Sequence, residues 1–177
     1  MSSFIPGFNS TLNPKAQFYL ELADKCAALL QGQRNLITNT ANVSSLVYHG
    51  MRETPTREGK PVNWVGFYLT DAKRPDVLAL GPFQGKPACT EIAFGRGVCG
   101  TAASTCASVV VKDVCDFPGH ISCDPASKSE IVVPLKALNG KVHGVFDIDA
   151  SVAGAFDDFD RIGLEAIANM VVEASNF

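Results

Sequence analysis

The chain has no apolar run approaching the length of about 20 residues needed to cross a bilayer, which excludes a helical membrane span as its expected context. It also lacks an excess of basic residues. A formal net charge of −3 offers no general attraction to phosphate backbones or anionic lipid, so neither nucleic acid nor a membrane surface is the expected partner. The early apolar residues Phe4, Ile5 and Phe8 are interrupted by Pro6 and Gly7, and the first basic residue is Lys15, so no secretory signal is expected. No Cys-x-x-Cys pair occurs and the cysteine intervals are ragged, which argues against a zinc centre. No segment is rich enough in Pro, Gly, Ser or charge to read as a linker, so a single domain over residues 1–177 is expected.

What is present is a globular composition, 46% apolar and 19% charged, with six cysteines in a chain expected to be cytoplasmic. Structural disulfides rarely persist in that compartment. Cys26, Cys89, Cys99, Cys106, Cys115 and Cys123 therefore need another explanation, and five of them fall within residues 89–123.

Hydrophobic periodicity predicts the elements. Pro14 to Leu30 carries Tyr19, Leu22, Cys26, Leu29 and Leu30 at helical spacing, and a second helix runs from about Asn35 to His49 with Leu36, Thr40, Val43 and Val47 inward. A polar loop follows over Arg52 to Lys60. Val62 to Leu69 reads as a strand with Val65, Phe67 and Leu69 toward the core and Trp64, Gly66 and Tyr68 on the other face. Short strands are predicted at Val77–Leu80, Glu91–Phe94 and Ser108–Val111, with a short helix near Val98–Thr105. Asn139-Gly140 suits a tight primed turn between strands Ile131–Ala137 and Lys141–Asp149. A last helix, capped by Asp157 or Asp158, carries Phe159, Ile162, Ala166, Ile167 and Met170 on one side. The order implies an α+β fold, a mainly antiparallel sheet of about six strands with helices packed on one face.

Residues 113–129 show no periodicity and form a long loop, a type of segment that in compact domains usually serves function. Asp147 and Asp149 alternate with Phe146 and Ile148, so both carboxyls project from the face that also carries Trp64 and Tyr68. Glu130, just after the loop, could curve in beside them. Such a face could form an acidic, aromatic pocket or an ordinary solvent-facing sheet surface. The spacing lacks the clustered oxygen-ligand loop of a calcium site. Cys26 and Cys106 read as small core hydrophobes, whereas Cys89, Cys99, Cys115 and Cys123 lie near loops where a substrate or a second thiol can reach them. His120, three residues before Cys123, could assist thiolate formation; His49 and His143 suggest no special role.

Phe117-Pro118-Gly119-His120-Ile121-Ser122-Cys123-Asp124, continuing through Ser129-Glu130-Ile131-Val132-Val133-Pro134-Leu135, resembles the free methionine-(R)-sulfoxide reductases of the GAF family. Asn63-Trp64-Val65-Gly66-Phe67-Tyr68, Gly95-Arg96-Gly97-Val98-Cys99-Gly100-Thr101-Ala102 and Phe146-Asp147-Ile148-Asp149 are similar to that family's other signatures, in the same order. Ser122 and Pro125 stand where alanine is as common. The resemblance implies a GAF-like fold and reduction of free methionine-(R)-sulfoxide by thiol chemistry. It implies Cys123 as nucleophile, Cys89 as the thiol that closes a disulfide with it, and Cys99 as a further redox partner. It places Trp64, Tyr68, Glu130, Asp147 and Asp149 in the substrate pocket, with thioredoxin as external reductant and no bound metal or cofactor. Homodimerisation is left open. The competing readings are a non-catalytic GAF ligand-binding module and a redox sensor using the same cysteines.

Overall fold

In a computed structural model, residues 13–55, 61–71, 73–121 and 123–177 are described. Ser122 of the motif and most of the polar loop, at 56–60, lie outside the described residues, as do the early apolar residues Phe4, Ile5 and Phe8. The elements run α1 (Pro14–Leu30), α2 (Leu36–Glu53), β1 (Val62–Asp71), β2 (Arg74–Gln84), β3 (Glu91–Ala93), α3 (Gly97–Thr105), β4 (Val109–Val111), β5 (Ser129–Lys136), β6 (Val142–Ala150) and α4 (Asp158–Ala174). All six strands join one antiparallel sheet in the order β3-β2-β1-β6-β5-β4.

Local chemistry sets the helix starts. Asn13 caps α1 by accepting from the Lys15 and Ala16 amides, with Pro14 in the first turn where a missing N–H costs nothing. Asn35 caps α2 through the Thr38 amide. At α4 the cap is Asp157, and Asp160 reaches back to the Asp157 amide at 2.8 Å, which completes a capping box.

The three long helices pack on one face of the sheet. Tyr19, Leu22 and Cys26 of α1, Val43 and Val47 of α2 and Leu164 and Ile167 of α4 meet Val65, Phe67, Ile131, Val133, Phe146 and Ile148 in one buried cluster. The short α3 lies on the opposite face, where Val98, Cys99 and Ala102 join Trp64, Tyr68, Val132 and Val145. The central strands β1, β5 and β6 thus divide their side chains between two cores.

Several expectations are corrected in detail. Leu29 lies on the outer side of α1, 43% exposed. On α4 the inward stripe is Asp160, Gly163, Leu164, Ile167, Ala168 and Val171, leaving Phe159 exposed. The cause is Asp160, a polar residue that faces inward because it accepts a 2.7 Å hydrogen bond from the Tyr19 hydroxyl and pairs with Lys15. Cys106 is not a core residue: it ends α3 in the left-handed conformation, φ 55°, half-buried. The β5–β6 turn is not a primed one, since only Gly140 has positive φ, at 83°, and its amide donates to the Ala137 carbonyl at 2.9 Å. That geometry is a turn closed by a left-handed glycine, and the strand register shifts at Leu135/Lys136 to absorb it.

Candidate active site

The site grows from strand register. On β6, Asp147 pairs with Gly66 of β1 and Val132 of β5, while Asp149 pairs with Trp64 and Glu130. Glu130 is therefore inside β5, directly across from Asp149. Period-two alternation then turns all three carboxyls to the α3 side of the sheet.

Gly66 opens the aromatic wall. A methyl group there would sit 2.3 Å from Phe83 Cβ and 2.5 Å from the Trp64 ring, closer than packed atoms approach. Its absence lets Trp64 stack between Tyr68 (centroids 5.8 Å apart) and Phe83 (5.3 Å), while the indole N–H donates to the Lys86 carbonyl at 3.2 Å. Tyr68 faces the cavity. Trp64 lies behind it and does not line the cavity with the disulfide closed.

Cys89 and Cys123 are joined by a disulfide across 34 residues of sequence. Cys123 lines the same cavity as Tyr68, Cys99, Glu130, Asp147 and Asp149, so the loop brings one sulfur of the pair to the acidic wall. Cys99, buried in α3, lies 3.9 Å from Glu130 Oε1, and His120 Nε2 lies 3.3 Å from Glu130 Oε2. Cys26 is buried in the helical core, where burial pushes its thiol up to about 12, and Cys115 is exposed.

The electrostatics of the cavity favour neutral acids. Burial pushes the Glu130 carboxyl up to about 7, with the neighbouring His120 holding it back. Burial, then the Glu130 charge, holds Asp147 well above the usual carboxylate range. Asp149 is raised by burial and then by Asp147. Burial likewise raises the Cys99 thiol, with Asp147 adding to the effect. Desolvation and like charges act in the same direction on all four groups. Asp147 Oδ1 is buried without a hydrogen-bond partner, an arrangement that normally costs stability.

Cys99, Glu130 and Asp147 each place one donor atom within 4.8 Å of the others, close enough to consider a cation. Metal ligands must be deprotonated, however, and burial holds these three toward their protonated forms. The set is better suited to donating protons.

Sequence reading did not single out Asp124 and Ser127, which also line the cavity. Asp124 accepts from the Asn63 amide at 3.2 Å and from the Ala126 backbone N–H at 2.9 Å, and Ser127 accepts from the same Asn63 amide at 3.0 Å. The Asp at the end of the loop motif and the Asn near the start of β1 are a usable signal, since their pairing ties the Cys123 loop to the sheet.

The sheet order and the helices on its two faces define a GAF-type fold, and the GAF domain family profile matches residues 57–174. The chain belongs to that family and, within it, to the group of the free methionine-R-sulfoxide reductases. It is 44% identical to the free methionine-R-sulfoxide reductase of Saccharomyces cerevisiae over 96% of this chain and 92% of that protein. It is also 44% identical to the protein of that name from Escherichia coli, over 86% of each. An X-ray structure of free methionine-R-sulfoxide reductase from Neisseria meningitidis in complex with its substrate superposes with a TM-score of 0.82 at 36% identity, covering 98% of this chain and 95% of that one.

Proposed function

We propose that this protein reduces free methionine-(R)-sulfoxide to methionine, with Cys123 as the nucleophile. The observation that carries the reading is the meeting of one sulfur of a redox-capable cysteine pair with three carboxyls, Glu130 and Asp147 buried and Asp149 half-buried, in one cavity. A relative of the same fold has been captured with its substrate bound, which supports a small free ligand here.

In the first step the Cys123 sulfur attacks the sulfoxide sulfur as thiolate. A neutral carboxyl delivers its proton to the sulfoxide oxygen, and the substrate's S–O bond breaks as oxygen passes to Cys123. Methionine leaves and Cys123 becomes a sulfenic acid. The Cys89 thiol then attacks that sulfur, the S–S bond forms and water departs. An external dithiol, proposed to be thioredoxin, reduces the disulfide by exchange. Cys99 serves as an alternative thiol within the cavity.

Glu130 is the proposed proton donor, since an acid working near neutral pH should titrate there, and it lies beside both Cys99 and His120. Asp147 and Asp149 are proposed to bind the ammonium of the free amino acid, whose positive charge would answer the unpartnered Asp147 oxygen. Tyr68, with Trp64 stacked behind it, is proposed to form the wall for the methyl and thioether portion. No bound cofactor enters this chemistry. The protein is proposed to act as one cytoplasmic domain. No helix among the described residues is long and apolar enough to cross a membrane.

The test is incubation with dithiothreitol and each sulfoxide epimer, free and peptide-bound, with methionine measured by chromatography. Methionine from the free R epimer alone is the expected result. None from that epimer would reject the reading, and equal release from peptides would reject the proposed pocket selectivity.

A further inference from the structure

The reaction leaves a carboxylate in the place least able to hold one. When Glu130 gives up its proton, a negative charge appears on a side chain only 8% exposed, opposite Asp149 and beside Asp147. A charge buried among carboxyls needs a cation or a strong donor nearby. Facing Glu130 are Asp147 and Asp149 from β6, Cys99 from α3 and Tyr68 from β1, all acids. The bases on the cavity wall are His120 and Arg96, while Lys86 pairs with Asp124 at 3.7 Å. Of these bases His120 is placed against the carboxylate, Nε2 to Oε2 at 3.3 Å, its side chain 14% exposed.

We infer that His120 and Glu130 work as one two-residue acid, with the imidazole N–H of His120 donating to the Glu130 carboxylate as the Glu130 proton moves to the sulfoxide oxygen. The inference rests on the proposed reduction and adds a residue to it. The proton count closes simply. Before the step the pair holds the proton on Glu130 or on His120; afterwards that proton is on the oxygen leaving with Cys123, the carboxylate is ionised, and the pair regains one proton from solvent through the more exposed imidazole. His120 also stands three residues before Cys123 in the same loop, and both line the cavity. The chain's other two histidines are elsewhere: His49 is an exposed side chain near the end of α2, and His143 stacks on Phe177.

The test is single-turnover methionine release from free (R)-sulfoxide by excess, fully reduced enzyme, followed from about pH 5 to about pH 10. Glu130 must be protonated to act, so the rate falls as pH rises through its titration. The imidazole holds that titration down. In His120→Gln, which keeps a donor amide but cannot carry a proton, the plateau is expected to drop about 10- to 100-fold. The falling limb is expected to move upward by about one pH unit. A structural disturbance lowers the rate without that upward shift. Imidazole added to His120→Ala should restore much of both. In Glu130→Gln, adding His120→Gln should cost little more, as for two members of one acid. A limb that stays or moves down in His120→Gln, an unchanged plateau, or fully additive losses would overturn the inference. Wild-type enzyme that releases no methionine would instead overturn the proposed reaction itself, and His120→Asn gives the same readout if the Gln variant folds poorly.

Discussion

The two faces of the sheet bury acids and thiols alike, yet they treat them differently. On the helical face, Asp160 has no exposed surface, and its oxygens take the Tyr19 hydroxyl at 2.7 Å, the Asp157 amide at 2.8 Å and Lys15. On the α3 face, Asp147 is 6% exposed and one of its oxygens has no partner. Cys26 sits among aliphatic side chains, whereas Cys99 sits against Glu130. A satisfied buried acid holds elements together, here α1 to α4. An unsatisfied one stores an interaction that a ligand can complete, at a cost to the empty protein.

The sharpest test of this contrast compares thiols. Cys123→Ser should reduce methionine production by about 10³-fold or more, because a serine hydroxyl is far less ionised and cannot form the sulfenic acid or the disulfide. Cys26→Ala should leave turnover unchanged and cost about 1 kcal/mol in urea unfolding, the signature of lost packing. Near-normal turnover by Cys123→Ser would remove the nucleophile assignment, and lost activity in Cys26→Ala with a normal fold would break the division between the faces.

The paired aspartates should give opposite signs. Asp160→Asn is expected to destabilise by about 1 to 3 kcal/mol, since the amide cannot accept from all its present donors and leaves Lys15 without its buried charge partner. Asp147→Asn is expected to stabilise by about 1 kcal/mol above neutral pH while lowering turnover by about 100-fold. Chemical denaturation and single-turnover assays on both variants check this. Two losses of stability of similar size would show that Asp147 is a framework residue like Asp160.

Much of this division could be read from the sequence where periodicity was strong. The alternation in β1 and β6 separated Val65, Phe67, Phe146 and Ile148 from Tyr68, Asp147 and Asp149 because a strand's side chains have no third direction to take. The inward face of α4 was misread because hydrophobicity alone selects Phe159 over Asp160, and only the partner Tyr19, 141 residues away, makes the acid the buried residue. The extent of β2 was also hidden. Arg74–Gln84 contains two prolines, a glycine and few fully buried positions, so its pairing with β1 is a tertiary fact without a local pattern. At the site, residue types and spacing suggested the carboxyl cluster, but Glu130 falling directly opposite Asp149 depends on strand register, and the neighbours of Asp124 depend on how the loop folds back.

A further effect is expected in the pH dependence of stability, and it separates the faces without any substrate. Glu130, Asp147 and Asp149 all titrate higher in the folded protein than the usual range of about 4, so the native state binds protons more tightly than the unfolded chain. Their contribution is fully present below the unfolded pKa and is lost as pH rises through the folded one, which for Glu130 is about 7. The melting temperature of the disulfide form should therefore fall between about pH 5 and pH 8, by an amount equivalent to about 2 kcal/mol. Glu130→Gln should flatten that slope, whereas Cys26→Ala, in the helical core, should lower the curve without changing its shape. A wild-type curve that rises over this interval would mean that the pocket acids are already ionised in the empty protein, and the contrast between a satisfied and an unsatisfied face would lose its electrostatic basis.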